Sequence, residues 1–199
     1  LDGTLAFTQR SPGYSVSIAL VAKDGTPVIG VVYDPVSDIL YHAIQGQGAC
    51  RNRKPWAIDA SAKADQLTLL IDHSFIAQSK EPAFREQLET LAAEAGCRGA
   101  RIVDHAGAVL NACSVVDHAP ALYFKFPKPT PGGGSLWDFA ATACLLQELG
   151  LPCSDIHGQT LKLNPEGSTF MNERGVLFAS DAKLAAAVSG MHEGPDRPQ

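Results

Sequence analysis

The tripeptide Asp-Gly-Thr occurs twice, at Asp2-Gly3-Thr4 and at Asp24-Gly25-Thr26. A carboxylate followed by glycine can set a hard oxygen ligand beside exposed backbone N–H groups, an arrangement that suits Mg²⁺ and a phosphate. A threonine hydroxyl beside it could orient a water. The same tripeptide also makes an ordinary turn. Asp24-Gly25-Thr26 lies between two alternating apolar segments and reads as a hairpin turn. Asp2-Gly3-Thr4 has no strand pattern before it, and its local sequence leaves the turn and the ligand readings both open.

Asp138, in Trp137-Asp138-Phe139-Ala140-Ala141, is the second candidate. It falls in the first turn of a helix whose N-cap is Ser135, where the helix dipole and a capping box both favour an acid. The rest of that helix (Ala140, Ala141, Ala143, Cys144, Leu145, Leu146, Leu149) is apolar nearly all round, which marks it as buried. An acid at the mouth of a buried helix, after a glycine-rich stretch over 127–134, also suits Mg²⁺, which commonly combines one or two carboxylates with phosphate and water. The weaker candidates are Asp72-His73 and Asp104-His105, fragments of acid–base pairs for which no motif places a serine or cysteine nucleophile. Each histidine is expected to be structural or exposed. Lys125 and Lys128 read as a solvated pair or as a steering charge for phosphate. Gly132-Gly133-Gly134 lacks the Gly-Lys-Ser/Thr end of a Walker loop.

The elements that must position these residues change character along the chain. Period-2 patterning from Tyr14 to Ala22, a return strand from Val28 to Tyr33 and a third strand from Ile39 to Ile44 predict an antiparallel meander of about four strands over 14–50. Beyond it, Leu67–Asp72, Arg98–Val103, Ala121–Phe126 and Gly175–Ala179 read as strands. Helices are expected over Glu81–Ala95, Ala106–Val116, Ser135–Leu149 and Asp181–Ser189, with Gly96 and Gly150 as stops. A meander followed by alternating β and α units gives an α/β layout with two sheet regions. Residues 1–66 are expected to hold the antiparallel sheet and the first motif, 67–190 an α/β region, and 191–199 a disordered tail.

The 199 residues are 45% hydrophobic, enough for a real core, and carry a net charge of −5, which gives no electrostatic support for binding long nucleic acid. No apolar run approaches the roughly 20 residues that span a bilayer. No signal peptide is expected, and without an initiator Met the chain is expected to be processed, trimmed or a fragment. Five widely spaced cysteines without a C-x-x-C argue for reduced thiols and a cytoplasmic setting.

Several segments, taken in order, resemble the inositol monophosphatase superfamily. That family carries a D-P-(I/L)-D-G-T motif, then strands of the type F-(S/T)-V-(S/N)-I-A-L, P-V-x-G-V-V-x-x-P and Y-x-A-x-x-G-x-G-A, and later W-D-x-A-A. This chain reads Leu1-Asp2-Gly3-Thr4, Tyr14 to Leu20, Pro27 to Pro35, Tyr41 to Ala49, and Trp137 to Ala141 with Glu148-Leu149-Gly150 at the helix end. Order and spacing agree over nearly the whole chain.

The resemblance implies a layered α-β-α-β-α sandwich of the inositol monophosphatase and fructose-1,6-bisphosphatase type, here without its N-terminal helical layer and first strands. It implies two or three Mg²⁺ ions held by Asp2, the Leu1 backbone carbonyl and Asp138. Thr4 and Asp2 would be catalytic, and Gly3, Thr4, Gly107, Ala108 and Asp138 would line the substrate. Gly107-Ala108 falls where the family has Gly-Ser or Gly-Thr, so a hydroxyl is missing. The family's first Asp, its metal-binding Glu and its water-activating acid would lie before Leu1, outside this sequence. Thr130–Leu136 lacks the acid that inositol-specific members carry there, which leans the reading toward a 3′(2′),5′-bisphosphate nucleotidase-like or broad sugar and inositol phosphatase. The expected activity is hydrolysis of a small phosphorylated substrate by metal-activated water, with no membrane or long nucleic-acid partner and with room for a homodimer. The alternative is a catalytically inactive member that only binds anions or a partner.

Overall fold

The computed structural model describes residues 1–59, 64–104 and 106–192. It stacks four layers in the order sheet, helix pair, sheet, helix pair. The first sheet is a meander, β1 (Val16–Val21), β2 (Pro27–Asp34), β3 (Ile39–Ile44), β4 (Ala49–Arg51) and β5 (Lys54–Pro55), each antiparallel to the next. The second sheet contains β6 (Gln66–Leu70), β7 (Gly99–Val103), β8 (Ala121–Lys125), β9 (Cys153–Ser154) and β10 (Val176–Ala179) in the order β7-β6-β8-β10-β9. β6 runs parallel to both β7 and β8, while β10 is antiparallel to β8 and β9.

Helices α3 (Ala108–Asp117) and α4 (Leu136–Glu148) fill the space between the sheets, sharing one core with Val32, Tyr41, Leu70, Tyr123 and Phe178. The alternate residues of the second sheet (Leu67, Leu69, Leu122, Leu177) face α2 (Pro82–Glu94) and α5 (Ala182–His192), where Phe84, Leu88, Leu91, Leu184 and Val188 close a second core. This β-α-β-α stack is the expected sandwich without a helical layer on the first sheet. No helix among the described residues is long and apolar enough to cross a membrane.

The largest side chains of β1 do not face α4. Val16, Ile18 and Leu20 are exposed, while Ser17, Ala19 and Val21 turn toward the helix. The reason lies in how close α4 sits: a Cβ on Gly30 of β2 would stand 2.4 Å from the Ala141 carbonyl oxygen and 2.9 Å from Cys144 Cβ. Only small residues fit beneath a helix lying directly on the sheet. Other departures from the sequence reading are short: helix α1 (Thr4–Thr8), β5 and β9 carry no periodic signal, Gln66 already opens β6, and α5 reaches His192. Residues 193–199 of the expected tail lie outside the described residues.

The end of α4 is tied to the β3–β4 turn by Glu148, whose two carboxylate oxygens accept the Gly46 and Gly48 N–H groups, each at 2.7 Å. These bonds hold its carboxyl below the ordinary value of 4.5. The folded state then binds fewer protons than the unfolded chain in that window, so the contribution is complete above the ordinary value and is lost as pH falls through the depressed one. Denaturation of Glu148→Gln should show a stability deficit against wild type at pH 7 that narrows steadily on acidification toward pH 3.

Candidate active-site cleft

Asp2 pairs with Ser15 through reciprocal backbone bonds, Asp2 N–H to Ser15 O at 2.9 Å and Ser15 N–H to Asp2 O at 3.0 Å. Gly3 follows with φ +78°, a left-handed turn that starts α1, and a Cβ there would meet the Gly13 carbonyl at 2.5 Å. This turn aims the Asp2 side chain at the N-terminus of α3, 107 residues away, where its Oδ2 accepts the Val109 N–H at 2.9 Å. Gly107, at the N-cap, has no side chain to do this, so Asp2 caps α3 from outside the helix. The contact is close enough that a Cβ on Gly107 would lie 2.3 Å from Asp2 Oδ2. A Gly107 N–H to Gly13 O bond of 2.8 Å reinforces the same junction.

Asp138 is the third residue of α4 and forms a capping box with Ser135, its Oδ2 accepting the Ser135 N–H at 2.8 Å. Its helix-capping role is therefore real, and it uses only one of the two oxygens. Asp2 and Asp138 line one open cleft of about 990 Å³ together with Leu1, Gly3, Thr4, Gly107, Ala108 and Trp137. Every residue that the sequence reading placed at a site thus borders the same space. Leu1 and Thr4 are exposed at its rim.

Burial raises the Asp2 carboxyl above its ordinary value, the Val109 N–H offsets part of that, and the charges of Asp138 and Asp72 raise it further. A carboxylate so placed is relieved by a cation. No group of three or more His, Cys, Asp or Glu among the described residues converges closely enough to hold a metal. A closed all-protein cage is therefore not what these residues form. A pair of carboxylates with open space beside it fits Mg²⁺, which keeps waters and takes substrate oxygens as ligands.

The second sheet supplies groups that sequence reasoning misjudged or missed. Because β6, β7 and β8 are mutually parallel, their carboxyl ends deliver Asp72, Asp104 and Lys125 to this same cleft. Asp72 is no partner of His73 in an acid–base pair. It forms an ion pair with Lys125, and its Oδ1 accepts from Tyr123 OH at 3.0 Å and Asn111 Nδ2 at 3.3 Å. Lys125 is correspondingly no solvated charge, its side chain being 20% exposed. The usable signal was a polar residue ending each apolar strand, since open α/β sheets bind ligands at the carboxyl ends of their strands. His105 lies outside the described residues. Asp24 serves the hairpin, its carboxylate accepting the Thr26 N–H at 2.9 Å.

Comparison with known proteins gives the same picture. The chain is 30% identical over 175 residues to the 3′(2′),5′-bisphosphate nucleotidase CysQ of Salmonella typhimurium, a match covering 86% of this chain and 63% of that protein. It is 27% identical over 177 residues to the inositol-1-monophosphatase of Bacillus subtilis, covering 89% of this chain and 60% of the relative. The chain therefore spans somewhat under two thirds of the length of these relatives. Among solved structures, inositol monophosphatase II of Staphylococcus aureus superposes with a TM-score of 0.68 at 25% identity, covering 96% of this chain and 66% of that one. The model of the inositol monophosphatase family matches residues 1–193. With its segments in family order, a matching layered fold and that match over nearly its full length, the chain belongs to the inositol monophosphatase family.

Proposed function

We propose that the protein hydrolyses a small phosphomonoester in a Mg²⁺-dependent reaction. The observation that supports this reading is the half-buried Asp2 carboxylate lining one open cleft with Asp138, where burial and the neighbouring charges of Asp138 and Asp72 raise its pKa above the ordinary value. Asp2 and Asp138 would hold Mg²⁺, with the Leu1 carbonyl at the rim; two or three ions would draw further ligands from water and substrate. Mg²⁺ in this position supplies Lewis acidity toward the phosphate oxygens and lowers the pKa of water.

The chain's own residues set the geometry. Val109 N–H fixes one Asp2 oxygen, and Ser135 N–H fixes one Asp138 oxygen, so both carboxylates are oriented before substrate arrives. Thr4, at the start of α1 and exposed at the rim, would accept from or donate to a water there, and the phosphate would meet the cleft lining at Gly3, Gly107 and Ala108. Ala108 offers no hydroxyl to the substrate.

Two relatives bracket the substrate, one named for a nucleoside bisphosphate and one for inositol monophosphate. Phosphate release from adenosine 3′,5′-bisphosphate and from inositol 1-phosphate should appear with Mg²⁺ and vanish with EDTA. Absence of release from either substrate at millimolar Mg²⁺ would sink the reading in favour of a protein that only binds anions or a partner.

A further inference from the structure

Between β9 and β10 the chain runs through residues 155–175 without a helix or a sheet strand, a length at which a connection in a packed domain usually carries a role. Its later part lies against the N-terminus of α4, and so beside Asp138. We propose that Asp155 and Arg174 are positioning residues for Asp138, their ion pair fixing the turn on which the α4 N-terminus rests. The proposal rests on the reading of Asp138 as a Mg²⁺ ligand and adds to it the two side chains that hold that ligand's direction.

Asp155 is 3% exposed, and its carboxylate is fully engaged. Oδ1 accepts the His157 and Gln159 N–H groups, each at 2.9 Å, and Oδ2 takes the Arg174 Nε–H. A buried carboxylate that is both paired and hydrogen-bonded is a fixed point of the fold. Arg174 is anchored to this point twice, since its carbonyl also accepts the Ile156 N–H at 3.1 Å. The next residue closes a single turn, Gly175 N–H donating to Met171 O at 3.1 Å. Gly175 takes φ +65°, and a Cβ there would stand 2.2 Å from Lys125 O, so the turn sits directly on the end of β8. A cavity of about 110 Å³ bordered by Asp155, Phe170, Met171 and Arg174 lies against the turn. The ion pair and hydrogen bonds, rather than close packing, therefore hold it on that side.

From Met171 the support passes to α4. Met171 N–H donates to Gly134 O at 3.1 Å, and Leu136 N–H donates to Thr169 O at 2.8 Å, leaving Phe170 paired with Ser135 in a short antiparallel bridge. Leu136 carries one of the first N–H groups of α4, which the helix itself cannot satisfy. Gly134 is also pressed against the Phe139 ring, where a Cβ would lie 2.6 Å from Cε2. The residues on both sides of Ser135 are thus held from outside the helix, and Ser135 N–H is the donor that fixes Asp138 Oδ2 at 2.8 Å. Neither Asp155 nor Arg174 lines the cleft. Breaking their pair would free the turn, let Gly134 and Leu136 shift, and loosen the Ser135–Asp138 bond without altering any group that borders the cleft.

Amide hydrogen exchange of the metal-free protein reads that bond directly. In Arg174→Gln, protection of the Ser135 and Leu136 N–H groups should fall about tenfold, while Ala143, Cys144 and Leu145 in the middle of α4 keep theirs. Arg174→Lys should restore it to within about threefold. Should Arg174→Gln fail to fold, Asp155→Asn keeps an oxygen for the His157 and Gln159 N–H groups and should show the same local loss. Mg²⁺ affinity by calorimetry should weaken about tenfold in parallel, the size expected when a residue supporting a metal ligand is removed, with KM at saturating Mg²⁺ unchanged to within about twofold. Unchanged Ser135 protection, or a loss spread evenly over α4 and both sheets, would overturn the proposal. So would wild-type Mg²⁺ affinity in a variant whose Ser135 protection has fallen. A wild type that binds no Mg²⁺ at millimolar concentration defeats the ligand reading of Asp138 instead, and the exchange pattern still decides whether the pair holds Asp138.

Discussion

On the proposed function, Asp138→Asn is expected to abolish Mg²⁺-dependent phosphate release almost completely, by about a thousandfold in kcat, because the loss of a carboxylate that would hold Mg²⁺ forfeits several kcal/mol of charge stabilisation. The fold should survive. An asparagine side-chain oxygen can still accept the Ser135 N–H, so the cap on α4 is kept and metal-free stability should move by less than about 1 kcal/mol. Removing the negative charge also relieves the repulsion on Asp2, which acts in the stabilising direction. The metal-linked part should disappear: Mg²⁺ at a hundred times its Kd would stabilise wild type by about 2.7 kcal/mol and the variant by much less. Thermal melts with and without Mg²⁺ read this without any substrate. A variant that keeps wild-type turnover would remove Asp138 from the metal site.

Gly107→Ala is expected to lower activity about a hundredfold, although Gly107 carries no chemistry. Its φ of −70° and ψ of 172° are open to any residue, so the cost is not backbone strain. The added methyl would stand 2.3 Å from Asp2 Oδ2 and 2.8 Å from both Asp2 Cγ and Gly3 N, so the carboxylate must retreat by roughly an ångström, a misplacement of the size that costs about two orders of magnitude in rate. Retreat also breaks the Val109 bond and leaves α3 uncapped, a loss of about 1–2 kcal/mol. Mg²⁺ affinity by calorimetry should weaken in the same variant while its circular dichroism stays native. Unchanged Mg²⁺ affinity would show that the close approach is not required.

Much of this was legible in the sequence, for identifiable reasons. The β1–β3 meander and the helix near 82–94 announce themselves through period and punctuation, because each buries a regular stripe, and the helix near 136–148 through an almost unbroken apolar run between Ser135 and Gly150. Asp2 is different. Nothing local separates it from Asp24, and only the order of segments downstream singled it out; the structure shows why, since what distinguishes it is a bond to Val109 far along the chain. The Asp72–Lys125 pair was illegible for the same reason, joining charges 53 positions apart whose proximity depends on β6 and β8 lying side by side. Patterning also misplaces the weight of β1, where alternation predicts two faces but cannot say that the larger residues turn outward. That choice is made by the backbone of α4 resting against Gly30.

The Asp2–Val109 bond has a consequence for how the protein is made. Closing a loop of about a hundred residues costs entropy that only the completed packing of α3 against both sheets repays. During synthesis the segment carrying Asp2 emerges before α3 and must wait, its carboxylate still hydrated, until α3 has left the ribosome and docked. The cleft is therefore among the last features to mature, and metal affinity should lag secondary structure during refolding. A chain released before α3 would contain the whole Asp-Gly-Thr motif and no site at all.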